Sequence, residues 1–100
     1  MDRDEIINRI GIIRTRAKIT ARALSLAINK NPAYINQMES THGFEPSLGT
    51  LLEILEVCGV TPEEFFYSDL AAYQKDKEVI AYLGKLSEKQ KNAILNLYEV

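Results

Sequence analysis

The sequence predicts an all-α fold. Apolar residues recur at three- and four-residue spacing through most of the chain. Good N-cap residues stand just ahead of those stretches at Thr20, Asn31, Ser47, Thr61 and Ser87. No stretch reads as a strand.

Residues 2–17 form the first predicted helix. Ile6, Ile10, Ile13 and Ala17 make a continuous apolar stripe, with Ile7 and Ile12 beside it. Asp2, Asp4 and Glu5 suit the positive end of the helix, and Arg14, Arg16 and Lys18 the negative end. Gly11 weakens it slightly. The arginines read either as a solvated helix end or as phosphate contacts.

Residues 20–39 read as two short helices joined by a tight turn. Thr20 caps the first, which carries Leu24, Ala27 and Ile28 on one face. Asn29 is the residue type, after glycine, that most readily takes the left-handed conformation ending a helix. Asn31 then caps the second helix, with Pro32 at its first position, where a missing N–H costs nothing. Ile35 and Met38 face inward, while Tyr34, Asn36 and Gln37 point elsewhere. Helix, turn and helix in this order is the layout of many DNA-binding units. A plain corner between two core helices shows the same caps, so the layout alone does not fix a function.

Gly43 and Pro46 mark residues 40–46 as a loop. His42 stands there without a second His, a Cys or a carboxylate cluster at ligand spacing. It reads as a surface histidine, with a phosphate neighbour as the alternative. Ser47 caps a helix whose buried face is expected at Leu48, Leu51, Leu52, Leu55 and Cys58, stopped by Gly59. Thr61-Pro62-Glu63-Glu64 is a capping box with proline at N1, opening a short helix that brings Phe65 and Phe66 to the core. Five helices are thus expected by Tyr67.

Beyond them, Leu70, Tyr73, Lys77, Ile80 and Leu83 keep a helical period that breaks around residues 74–78. Ser87-Glu88-Lys89-Gln90 is another capping box, opening a helix with Ala93, Ile94, Leu97 and Tyr98 on one side. The expected division is residues 1–68 and a helical extension, 69–100. The extension packs back on the core or against a second copy; Ile94, Leu97 and Tyr98 are the candidate dimer contacts.

Composition narrows the function. The apolar share of 46% and charged share of 26% are ordinary for a soluble globular domain. The single cysteine, Cys58, excludes an internal disulfide and a cysteine-rich zinc site, and its apolar neighbours suggest a small buried side chain. No metal or cofactor is expected. No apolar run approaches the roughly 18 residues of a membrane span, and the N-terminus lacks the apolar core of a signal peptide. The cytoplasm is the expected compartment. There is no glycine-rich phosphate loop, paired-histidine motif or GxSxG elbow, so an enzyme is not expected. The net charge is −2. Yet residues 1–40 carry Arg3, Arg9, Arg14, Arg16, Lys18, Arg22 and Lys30 against only Asp2, Asp4, Glu5 and Glu39. That asymmetry suits a small domain with one nucleic-acid face.

These residues resemble the Cro/CI-type (XRE-like) helix-turn-helix repressors of phages and bacteria. The resemblance spans Ile6 to Tyr67. It rests on Ile19-Thr20, Tyr34-Ile35 with Met38-Glu39, Pro46-Ser47-Leu48 with Thr50-Leu51-Leu52, and Gly59-Val60-Thr61 leading into Glu64-Phe65-Phe66. It implies a five-helix, lambda repressor-like domain whose third helix, residues 32–39, enters the major groove, as a homodimer on duplex DNA. It also implies a structural ion pair between Arg14 and Glu39. The implied base-reading residues are Pro32, Ala33, Asn36 and Gln37. Arg22, Lys30, Asn31, Tyr34, His42 and Gly43 are the implied phosphate contacts. The chain departs from the family's habit in places: Ala21 stands where Gln is frequent, Pro32 brings no donor, and the loop after the third helix has Phe44 and Glu45 in place of cations. The expectation is therefore a sequence-specific, repressor-like regulator with modest affinity. The alternative is a protein-interaction module of the same fold, acting through residues 70–100.

Overall fold

The computed structural model describes the backbone of residues 1–98 and the side chains of residues 1–97. The expected Tyr98 contact therefore lies outside the described side chains. The chain divides into two units, one of Met1–Ser68 and a second beginning at Asp69.

Five helices build the first unit: α1 (Arg3–Arg16), α2 (Ala21–Ala27), α3 (Tyr34–Glu39), α4 (Leu48–Cys58) and α5 (Pro62–Phe65). Side-chain caps start four of them. Asp2, Thr20, Ser47 and Thr61 each accept from the backbone N–H three residues on. Three helix ends share another device, a left-handed residue flanked by two crossed hydrogen bonds. At α2 the left-handed residue is Asn29 (φ 60°), with Asn29 N–H on Leu26 O and Lys30 N–H on Ser25 O. Gly59 (φ 72°) ends α4 in the same way. Lys18 (φ 59°) ends α1, where a glycine would normally stand.

The core is formed by Ile10 and Ile13 of α1, Leu24 of α2, Ile35 and Met38 of α3, Ile54 and Leu55 of α4, and Phe65 of α5, all essentially inaccessible. Burying each such side chain is worth about 1.5–3 kcal/mol, so the short helices are held by packing rather than by propensity. Several expectations from periodicity are corrected. On α1 the buried positions are Ile7, Ile10 and Ile13, while Ile6 is half-buried and Ile12 exposed. On α4 the buried face is turned toward Thr50, Leu51, Ile54 and Leu55, leaving Leu48 and Leu52 exposed and Cys58 half-buried. Phe66 is exposed; Phe65 alone enters the core.

The second unit has a single 3-10 turn, Leu70–Ala72, followed by α6 (Tyr73–Leu83) and α7 (Glu88–Tyr98). The break expected around residues 74–78 is absent, since α6 runs through it. Ser87 and Gln90 exchange hydrogen bonds at the start of α7, 2.9 Å from Ser87 N–H and 3.2 Å from Gln90 N–H. Val79, Ile80, Tyr82, Leu95 and Leu97 are exposed. Among the described residues there is no strand, and no helix is long and apolar enough to cross a membrane.

Candidate nucleic-acid interface

The candidate site is α2, the turn after it, and α3. Its geometry is fixed from inside. The Ser25 hydroxyl, fully buried, donates to Ala21 O (2.8 Å) within α2 and accepts from Ile35 N–H (3.0 Å) in the first turn of α3. One side chain thereby satisfies an otherwise unpartnered N–H of α3 and bolts the two helices together. Beside it, Leu24 and Ile28 of the α2 segment and Ile35 and Met38 of α3 are buried.

The approach to α3 differs from the sequence expectation. Asn31 does not cap the helix directly, and Pro32 is not its first residue. Asn31 Oδ1 accepts from Ala33 N–H (3.0 Å) and Asn31 O from Tyr34 N–H (3.1 Å). Pro32 and Ala33 therefore form a turn of their own, and α3 starts at Tyr34. Asparagine's side chain is well suited to such a turn, because it mimics a backbone carbonyl. Pro32, Ala33, Asn36 and Gln37 are all exposed, with Asn36 and Gln37 away from the buried Ile35 and Met38.

Glu39 at the end of α3 takes two hydrogen bonds from Arg14, Nε to Oε1 at 3.1 Å and Nη2 to Oε2 at 3.2 Å. Arg14 Nη1 also donates to Ile19 O at 3.2 Å. The two side chains are only 20% and 21% exposed, so the pair is an internal brace. Other cations are engaged as well. Arg3 Nη2 donates to Met38 O at 2.9 Å. Arg9 donates to the carbonyls of Phe65, Tyr67 and Ser68. Arg16 pairs with the buried Glu64 carboxylate at 3.1 Å. So four of the seven cations that gave residues 1–40 their positive balance hold the fold. Lys18, Arg22 and Lys30 are exposed and form no ion pair among the described residues.

Beyond α3 the chain turns sharply. Gly43 N–H donates to Ser40 O at 3.0 Å. A Cβ at Gly43 would strike the carbonyl oxygens of Gln37 and Met38, so only glycine fits. His42 is exposed on this loop. Tyr34 packs its ring against Phe44, with centroids 4.9 Å apart and planes tilted by 54°. Lys30 Nζ lies 5.5 Å from the Tyr34 ring centroid.

Burial pushes the Cys58 thiol up, against a smaller downward pull from Arg14. An open groove runs along α1 past Asn8, Gly11 and Thr15 to Ser40 and Thr41, but it includes none of the exposed positions of α3. Sequence reading missed Ser25, Lys18 and Arg9. For Ser25 a signal existed: a small polar residue between Leu24 and Leu26, four residues after Ala21, is placed to bond back to a carbonyl.

The family model of the helix-turn-helix matches residues 10–65, more than half of the chain and the whole of the α2–α3 unit. The chain belongs to the helix-turn-helix family. Its five-helix first unit is Cro/CI-like, and it is a DNA-binding regulator in the general sense of that family. Comparison with curated proteins and with solved structures found no match.

Proposed function

We propose that the protein is a sequence-specific, repressor-like transcriptional regulator that lays α3 in the major groove of duplex DNA. The observation that carries this reading is the exposure of Asn36 and Gln37 on a helix whose other side is locked to α2 through Ser25. A reading head must be both accessible and rigid. Asn36 and Gln37 each present a donor and an acceptor to the edge of adenine, a pairing worth roughly 1–3 kcal/mol of discrimination. Ala33 meets a thymine methyl, and Pro32 contributes shape without a donor. Arg22, Lys30, Asn31, Tyr34 and His42 hold the sugar–phosphate backbone, with Gly43 shaping the loop; such contacts set register and carry no sequence information. The Asn31 side chain keeps its amide N–H groups for this purpose, since its oxygen is the atom engaged by Ala33.

The protein acts as a homodimer, using the apolar side chains of α6 and α7, among them Ile94 and Leu97. Exposed Ile80, Leu95 and Leu97 within so small a unit support that role. Two copies coupled on a two-fold site compensate for weak single-copy affinity. Light scattering at tens of micromolar is expected to give a dimer, and a monomer would remove this part of the reading.

The second reading, a protein-interaction module of the same fold, is favoured by one observation: Arg3, Arg9, Arg14 and Arg16 are engaged internally. The two separate in one experiment. Selection of bound duplexes from a random pool by the purified chain should return a defined site, and Asn36→Ala should relax the preference at one base pair of it. No enrichment at low salt, with a protein partner co-purifying, would select the second reading.

A further inference from the structure

Three residues from three different segments meet around the first residue of α3. Lys30 comes from the turn before it, Tyr34 from the helix itself, and Phe44 from the loop beyond. Phe44 is 41% exposed and takes no place among the buried core residues. An apolar ring held half in water on a mobile loop would gain little. This loop is not loose at that point. Gly43 sits directly against the carbonyls of Gln37 and Met38, and Arg3 clamps the second of these at 2.9 Å. Phe44 is therefore carried to a fixed place, with its ring tilted against Tyr34.

We infer that Phe44 is a positioning residue for DNA binding, an aromatic strut that holds the Tyr34 ring, and with it the Lys30 ammonium, in the attitude that engages one backbone phosphate. The inference rests on the DNA-binding reading and assigns a role within it to a residue outside the implied contact set. The physical argument is preorganisation. Lys30 is a long side chain on an exposed turn, and free rotation must be lost when it meets a phosphate. Without support that loss offsets the gain of one exposed contact, and the ammonium stays in solvent. A ring 5.5 Å from its ammonium restricts it in advance through a cation–π contact. Phe44, its centroid 4.9 Å from that of Tyr34, is the aromatic neighbour that supports this ring. The loop's Glu45 supplies no cation of its own, so the strut acts through Lys30 rather than beside it.

The test uses the full chain and the duplex returned by pool selection, with binding followed by fluorescence anisotropy across a salt series. Phe44→Ala should weaken binding about 3- to 10-fold, with a melting temperature close to the parent's. The plot of log K against log salt should become shallower by about one unit per protomer, the signature of one lost phosphate contact. Lys30→Ala should give the same change of slope, and the double variant should bind no worse than Lys30→Ala alone, because both act on one contact. Phe44→Tyr should restore both affinity and slope, whereas Phe44→Leu should not, since the strut must be aromatic. Should Phe44→Ala fold poorly, Phe44→Leu carries the same cycle with Lys30→Ala. Parent-like affinity and slope in Phe44→Ala would overturn the inference, as would additive losses with the slope unchanged, the mark of a merely structural loop residue. Absence of duplex binding by the parent chain would instead remove the DNA-binding reading, and the inference with it.

Discussion

Ser25→Ala tests the joint on which the interface depends. The hydroxyl is fully buried and accepts from Ile35 N–H at 3.0 Å while donating to Ala21 O at 2.8 Å. Removing it leaves the Ile35 N–H without a partner in a dry place. An unsatisfied buried donor costs about 1–3 kcal/mol. Against this, alanine is the better helix former by about half a kcal/mol, and Ala21 O retains its bond from Ser25 N–H in the helix ladder. The net expectation is a loss of about 1–2 kcal/mol. For a chain of this size each kcal/mol corresponds to about 4–8 °C of melting temperature, so thermal unfolding followed by circular dichroism should shift down by about 5–15 °C. Amide exchange gives a local reading of the same event: Ile35 N–H should lose protection beyond the global loss of stability. A melting temperature unchanged within 2 °C, by the same scaling, would refute the reasoning, because it would mean that this N–H finds another partner at no cost.

Glu39→Ala should lower stability by about 2–3 kcal/mol, below the full cost of breaking a wholly buried pair because both partners keep some solvent contact; an unchanged melting temperature would show that the brace is unnecessary. Lys18→Gly should raise the melting temperature by a few degrees. A left-handed L-residue is strained by about 1–2 kcal/mol, and glycine returns only about half of that through its freer unfolded chain; a fall on substitution would place the strain elsewhere. At Cys58 the folded thiol holds its proton to higher pH than the unfolded one. Its contribution to stability is therefore complete below the unfolded thiol's range and is lost as pH rises through the folded value. Melting temperature should fall more steeply with alkaline pH in the parent than in Cys58→Ala, and iodoacetamide should modify native Cys58 more slowly than a free cysteine peptide at pH about 8. Equal rates would contradict the burial argument.

What the sequence revealed and concealed follows from the range of the interactions. Caps at Thr20, Ser47, Thr61 and Ser87 pair atoms three residues apart, so residue type and spacing announce them directly. The left-handed ends at Asn29 and Gly59 were legible for the same reason. Lys18 was not, because nothing in a lysine signals a positive φ that tertiary packing imposes. On α4 the apolar residues cover two overlapping stripes, Leu48–Leu51–Leu52–Leu55 and Leu51–Ile54–Leu55–Cys58. Periodicity cannot choose between them; what faces the helix decides. At Asn31-Pro32 the residue types were right for a helix start, but the Asx turn with Ala33 moved that start to Tyr34. The charge asymmetry misled more deeply. Arg9 counts toward the positive balance of residues 1–40, and only the folded chain brings it to three carbonyls more than fifty residues away.

The central claim is that α3 reads DNA while few cations grip the backbone, and the salt dependence of duplex binding tests it most directly. With Arg22 and Lys30 contributing from each of two copies, the slope of log K against log salt should be about −3.6, so that binding weakens roughly 150-fold between about 50 and 200 mM salt. Binding of the selected duplex with that slope, and relaxed preference in Asn36→Ala, is the result the account predicts. No measurable binding at the low end of the series, or binding that ignores both the salt and the sequence, would contradict it.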